Sequence, residues 1–157
     1  MSKTPMRWFR KHHTCSCGKG WWDEWDYLGN DRCPRCNAEI EPDEHVAIDR
    51  DKCAKTRARN DRLRKSLTGG RVVMTSAVSA LPDAVRARAL ELTRTFGGFT
   101  SDNDPYQEHD FGSFEIDGQK FFFKHDYYDK SMRYGSEDPT DPEKTTRVLT
   151  IMLAEEY

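Results

Sequence analysis

Thiols at positions 15, 17, 33 and 36 are the side chains of this sequence best suited to chemistry, and that chemistry is metal binding. Cys33-Pro34-Arg35-Cys36 followed by a small polar residue is a knuckle turn: its two thiolates point at one ion while backbone amides help hold the sulfur charge. Cys15-x-Cys17 supplies the second pair, and the fifteen residues between the pairs allow a hairpin that closes both onto one tetrahedral centre. Four thiolates suit structural Zn2+ with no position left for a water, which argues against metal catalysis. One intervening residue makes Cys15-x-Cys17 tighter than the usual knuckle, so His12 or His13 stands as an alternative to one of its thiolates. Cys53 lies outside the pattern and reads as a buried or free thiol.

A second set of candidates is His109-Asp110 and His125-Asp126. A carboxylate fixes the tautomer of an imidazole and raises its pKa, which is the basis of acid/base chemistry, and the four residues together could also hold a metal. Either use requires them to converge in a cleft. Thr68-Gly69-Gly70-Arg71 lacks the lysine and following helix of a phosphate loop, and no Ser or Cys is spaced against a base as a nucleophile. The expectation is a protein that is not an enzyme, with no catalytic residue.

The elements that must position these residues follow from pattern. A small zinc-ribbon-like module spans residues 7–42, with Trp21, Trp22, Trp25 and Tyr27 between the cysteine pairs. Aromatics in so small a ribbon commonly pack over the metal, and a Trp left exposed would offer a platform for stacking a base or docking a protein. Residues 43–57 read as a basic linker that becomes a helix from about Asp49 to Leu67, stopped by Gly69-Gly70. Arg71–Thr75 is strand-like. Pro82 opens a helix that carries Leu81, Val85, Ala89, Leu92 and Phe96 at helical spacing and ends at Gly97-Gly98.

Phe111–Ile116, Asp117-Gly118 and Gln119–Lys124 form a hairpin with a two-residue type I′ turn. That turn sets Ile116 opposite Gln119, Glu115 opposite Lys120 and Phe114 opposite Phe121, with Phe114, Phe121 and Phe123 facing the core. Extended further, the register sets Asp110 opposite His125 and His109 opposite Asp126, on opposite faces of the sheet. Asp141 and Pro142 read as the start of a last helix over 145–155 that buries Val148, Leu149 and Met152, although the run Val-Leu-Thr-Ile-Met-Leu suits a strand as well. The expected fold class is α+β: a zinc ribbon, then a compact domain over residues 58–157 with an antiparallel hairpin or sheet packed by about three helices.

Composition agrees with a modest core, since 36% of the 157 residues are hydrophobic and 33% are charged. No apolar run approaches a membrane span and the first residues lack a signal-peptide pattern. Five cysteines, four of them paired by spacing, fit zinc in a reducing cytoplasm better than a disulfide frame. The net charge of -2 is divided unevenly: Arg50, Lys52, Lys55, Arg57, Arg59, Arg62, Arg64 and Lys65 fall within sixteen residues, and an acidic half follows from Thr100 to Lys144. Such asymmetry marks either two solvated faces or a charged partner.

Several ordered stretches resemble one bacterial family. They are Asn60-Asp-Arg-Leu-Arg64, Gly69-Gly-Arg-Val-Val-Met-Thr75, Phe99-Thr-Ser-Asp-Asn-Asp-Pro105, Glu108-His-Asp-Phe-Gly112, Asp126-Tyr-Tyr-Asp129, Tyr134-Gly-Ser-Glu-Asp-Pro139 and Thr146-Arg-Val-Leu-Thr-Ile-Met-Leu153. From about Ala58 to the end the chain is similar to the domain of unknown function 3768. The resemblance implies no activity and no catalytic residues, only a family met mostly in alphaproteobacteria and often on mobile elements. The N-terminal part resembles separate zinc ribbons through Cys17-Gly18, Trp25, Cys33-Pro34-Arg35-Cys36 and Ile40-Glu-Pro42.

The resulting expectation is a cytoplasmic, non-enzymatic zinc protein of accessory type. Its ribbon and basic helix would contact nucleic acid or a nucleic-acid-bound protein. The competing expectation is an inhibitor of host defence, anti-restriction or anti-CRISPR-like, acting through the acidic domain. A hydrolase built on the His/Asp residues stands third.

Overall fold

Lys11 and His13 are wholly buried although they sit on a strand next to the N-terminus, and this inversion sets the character of the first part of the molecule. The computed structural model describes residues 8–26 and 28–157, so Arg7 and Tyr27 of the expected ribbon lie outside the described residues. The chain divides into two units, the first ending at Asp51 and the second running from Lys52 to Tyr157.

In the first unit, β1 (Trp8–Thr14) is the centre of an antiparallel sheet between β2 (Gly20–Trp25) and β5 (Glu44–Ile48). A two-residue pair, β3 (Asp31–Arg32) and β4 (Glu39–Ile40), carries the second cysteine pair between its strands. The interior consists of Lys11, His13, Cys15, Cys33 and Ile48, too little aliphatic surface to hold a fold alone. Within residues 43–57 the expected helix start is present from Arg50, but the segment before it is not an irregular linker. That segment holds strand β5, in register with β1 from Trp8↔Ile48 to His12↔Glu44. The strand escaped notice because Glu44 to Ala47 are all exposed, so it shows no apolar alternation.

Helix α1 (Arg50–Ser66) leads into the second unit. There a four-stranded sheet has the order β6-β9-β8-β7, with β6 (Arg71–Met74) parallel to β9 (Thr146–Leu153) and the other pairs antiparallel. The short helix α2 (Ser76–Ser79) and α3 (Asp83–Thr95) join α1 in covering a core of Leu63, Val78, Ala89, Phe121, Phe123, Leu149, Ile151 and Leu153. The hairpin of β7 (Phe111–Ile116) and β8 (Gln119–Tyr128) has the anticipated register, Ile116↔Gln119 through Phe114↔Phe121. Its turn is type I′, with Asp117 and Gly118 both left-handed at φ 51° and 80°. At Gly112 a Cβ would lie 2.3 Å from the Phe123 ring, so the strand passes the core only without a side chain.

The expected helix over 145–155 is instead strand β9, followed by a 3-10 turn at Ala154–Glu156. Val148, Leu149, Ile151, Met152 and Leu153 are all buried because β9 is a central strand covered on both faces. That two-sided burial erases the alternation of period two and leaves a run compatible with a helix. The capping signal at Asp141 serves a turn: its Oδ1 accepts from the Glu143 N–H, and its carbonyl accepts from the Lys144 N–H.

A candidate metal centre and a cationic pocket

The two knuckles are built by tight local hydrogen bonding. Cys15 N–H donates to the Lys19 carbonyl and Gly18 N–H to the Cys15 carbonyl, with Gly18 left-handed at φ 87°. In the second knuckle Cys33 N–H donates to the Ala38 carbonyl and Asn37 N–H to the Cys33 carbonyl, with Asn37 at φ 62°. Arg35 Nη1 reaches across to the Cys17 carbonyl at 3.1 Å and ties the two turns together.

The four sulfurs converge as a result. Cys15 and Cys36 Sγ are 3.5 Å apart, Cys17 and Cys33 Sγ are 3.6 Å apart, and all four lie within 4.8 Å of one another. A tetrahedral ion with bonds of about 2.3 Å sets sulfurs about 3.8 Å apart, so the set fits one metal ion. The Arg35 N–H points at Cys33 Sγ from 3.4 Å. Burial raises the Cys33 thiol, but backbone N–H groups of Cys36 and Arg35 and the neighbouring sulfurs outweigh it and bring it down to about 6. Neither His12 nor His13 replaces a thiolate: His12 Nδ1 pairs with Asp43 at 2.7 Å, and His13 Nδ1 meets the Ile40 carbonyl at 3.2 Å.

The tryptophans are placed differently from expectation. Trp21 stacks on His13, whereas Trp22 and Trp25 remain 45% and 43% exposed instead of covering the sulfurs. Arg10 lies over the Trp22 ring at 4.7 Å.

The eight basic residues of the helix separate into distinct roles. Arg50 is paired with Glu24 at 3.0 Å and stacked on Trp8. Lys52, Lys55 and Lys65 are exposed, and Arg57 donates to the Gln107 carbonyl. Arg64 must be removed from any surface set, because it is buried and donates to the carbonyls of Thr93, Arg94 and Phe96. Those are the orphan acceptors at the end of α3, so this cation serves as a helix cap.

Arg59 and Arg62 meet two cations from elsewhere in the sequence. Together with Lys130, Arg147, Gly69 and Gly70 they line a pocket of about 350 Å³. Among the described residues none of these four cations has an ion-pair partner. Arg147 is buried, and burial, followed by the charge of Arg59, presses its pKa below the usual value. Hydrogen bonds to Asn60 Oδ1 and to the Pro139 carbonyl, both 2.7 Å, hold it in place. Sequence reasoning missed Arg147 by assigning its segment to a helix. The signal available was an arginine within an otherwise buried run.

The two His/Asp pairs do not form a site. Asp110 does sit opposite His125, whose N–H donates to the Asp110 carbonyl, but the His125 ring is buried without a hydrogen-bond partner on either nitrogen. His109 turns away at φ 55°, stacks on Phe99 and pairs with Asp61 at 2.9 Å and Asp104 at 3.6 Å. Asp126 pairs with Lys124. The left-handed turn at His109 ends the register that would have faced it to Asp126.

The family model described as Protein of unknown function (DUF3768) matches residues 74–156. Comparison with curated proteins gives no match. Comparison with solved structures gives none either.

Proposed function

This chain belongs to the DUF3768 family, whose description carries no activity, and we propose that it is a non-enzymatic, zinc-containing accessory protein of the cytoplasm that binds nucleic acid through phosphate contacts. The observation that carries this reading is the pocket of Arg59, Arg62, Lys130 and Arg147. Four unpaired cations crowd one concavity, and a buried guanidinium pressed by a like charge is relieved by an anion. A phosphate is the anion such a fork of donors suits. Lys52, Lys55 and Lys65 on the same helix add exposed charge for a backbone that repeats its phosphates.

The metal in this reading is Zn2+, held by Cys15, Cys17, Cys33 and Cys36. When bound it supplies folding free energy to a unit whose interior is otherwise polar. Trp22 and Trp25, half-exposed on β2, offer faces on which bases can stack.

The acidic half is less suited to facing a partner. Asp104 Oδ1 accepts from the N–H groups of Glu108 and His109. Asp129 Oδ1 accepts from Ser131 and Arg133, and Asp138 Oδ1 from Thr140. These carboxylates shape loops, so an inhibitor that displays them as a nucleic-acid mimic is not the reading we adopt. No helix among the described residues is long and apolar enough to cross a membrane.

The test is fluorescence anisotropy with a labelled oligonucleotide across a salt series. Affinity is expected to fall steeply with salt, with a slope of about 0.7 per phosphate engaged for a single strand and about 0.9 for a duplex. Charge reversal of both Arg59→Glu and Arg62→Glu is expected to weaken binding at least about tenfold and to flatten that slope. Binding indifferent to salt and to both substitutions would sink the proposal.

A further inference from the structure

His13 lies on β1 with no exposed surface, its ring stacked flat on Trp21 at 4.9 Å. Its Nδ1 is 3.2 Å from the Ile40 carbonyl. A carbonyl only accepts, so Nδ1 carries a proton, and in the neutral ring Nε2 presents a lone pair. That Nε2 faces Asp23 Oδ1 at 3.4 Å, and neither atom has a hydrogen-bond partner. With the ring neutral, two lone pairs oppose each other at buried atoms of a partly exposed site. Asp31 completes the group, since ligand atoms of His13, Asp23 and Asp31 all lie within 4.8 Å of one another.

The 3.4 Å separation bears on two explanations, an ion pair and a shared cation. A charged imidazolium–carboxylate hydrogen bond would close to about 2.7–2.9 Å. Two ligands that share one small cation at about 2.1 Å each stand about 3.0–3.4 Å apart. A histidine whose other ring nitrogen donates to a backbone carbonyl is also the usual arrangement of a metal-binding imidazole. The ladder fixes all three residues: His13 is opposite Trp21, Asp23 is opposite Lys11, and Asp31 is opposite Ile40.

We propose that His13, Asp23 and Asp31 form a second divalent-cation site, separate from the four thiols, that takes a first-row transition ion through one imidazole nitrogen and two carboxylate oxygens. This donor set is harder than four thiolates and accepts Mn2+ as well as Zn2+. Three protein ligands leave at least one position open to water or to an anionic ligand. Asp23 Oδ2 accepts from the Trp25 indole N–H at 3.2 Å, and the Asp23 and Asp31 carboxyl groups contact each other, an approach that a proton shared between them would also satisfy. Asp31 also accepts from the Arg32 N–H at 2.8 Å and from the Trp21 indole N–H at 3.5 Å. Lys11 Nζ donates to the Gly29 carbonyl at 3.0 Å and stands 3.9 Å from Asp23 Oδ1. Its charge opposes a dication, so affinity is modest and removing that charge raises it.

The experiment uses the full chain loaded with one equivalent of Zn2+, which the thiols take first, then titrated with Mn2+. Binding is read from the loss of the free-ion paramagnetic resonance signal and from quenching of the tryptophan emission, to which Trp21 contributes. One further equivalent is expected to bind, weakened at least tenfold in Asp23→Asn and in Asp31→Asn while the zinc content stays at one. Lys11→Gln is expected to tighten Mn2+ several-fold, an outcome that misfolding cannot imitate. A chain that takes up no Mn2+ overturns the proposal, as does an equivalent untouched by both aspartate substitutions or a Lys11→Gln variant no tighter than the parent. Zinc content is counted separately, so failure of the thiolate reading would register as a different result.

Discussion

Arg147 Nε–H donates to the side-chain oxygen of Asn60 at 2.7 Å, joining two residues 87 positions apart in the sequence. Asn60 spends its amide nitrogen on the Glu108 carbonyl at 2.9 Å and on the Tyr127 hydroxyl at 2.7 Å. One buried side chain of α1 thus orients a strand arginine, a loop carbonyl and a tyrosine. Four of the stretches that carry the family resemblance, containing Asn60, Glu108, Tyr127 and Arg147, meet at this point.

Asn60→Ala would leave a guanidinium buried without its partner, along with a carbonyl and a hydroxyl. The expected destabilisation is about 2–4 kcal/mol, read as a lower urea midpoint at unchanged m-value. Asn60→Asp would set a carboxylate against Arg147 and cancel one of the four positive charges of the pocket. It is expected to weaken oligonucleotide binding several-fold in protein that remains folded by circular dichroism.

Arg64 separates a structural cation from those proposed to bind. Its single Nη1 faces the carbonyls of Thr93, Arg94 and Phe96 within 3.1 Å while Nη2 pairs with Asp61 at 3.0 Å. Arg64→Met removes the donors to three carbonyls and is expected to cost about 3 kcal/mol. Arg64→Lys would restore only part of that, because an ammonium cannot reproduce the planar fork. Neither change is expected to alter the salt slope of oligonucleotide binding, which is the measurement that distinguishes Arg64 from Arg59 and Arg62.

His125 makes stability depend on pH. Burial first, then the charges of Arg147 and Arg64, hold its pKa at about 3, against an ordinary 6.5. The unfolded chain therefore binds a proton between these values and the folded chain does not, so stability rises with pH through that interval. The contribution is fully present above pH 6.5 and is lost progressively as pH falls toward 3. Its slope is at most about 1.4 kcal/mol per pH unit. Urea midpoints measured between pH 7 and pH 5 are expected to fall in the parent and to fall less in His125→Leu. Equal slopes in the two proteins would refute the assignment.

Legibility in the sequence followed the source of each signal. The hairpin register could be read because Asp117-Gly118 fixes a turn locally and the opposing aromatics and charges agree with it. The thiol pairs could be read because knuckle spacing is also local. Strands β5 and β9 were hidden for opposite reasons. The first is exposed from Glu44 to Ala47, and the second is buried on both faces, so neither alternates. The pocket required the parallel β6–β9 pairing, which brings Gly70 within reach of Arg147: a Cβ there would lie 2.5 Å from the Arg147 carbonyl. Such long-range pairing leaves no trace in local spacing, and Arg147 and Lys130 could not be joined to Arg59 and Arg62 without it.

Metal removal should divide the molecule along its two units. All four tryptophans, at positions 8, 21, 22 and 25, belong to the first unit, so their emission reports that unit alone. The hydrophobic core of Leu63, Phe121, Phe123, Leu149 and Ile151 lies wholly within the second. A strong chelator, or Cys33→Ser, is expected to shift the tryptophan emission to the red and to expose the first unit to protease. The cooperative thermal transition of the second unit, followed by far-ultraviolet circular dichroism, should persist. On the proposed reading a metal ion held by the four thiolates supplies folding free energy to this unit, so re-addition of Zn2+ to the chelated parent should restore the emission and Cys33→Ser should not respond. Loss of both transitions together would show that the second unit depends on the first, and an emission spectrum unmoved by chelation would remove the metal from the fold of this unit.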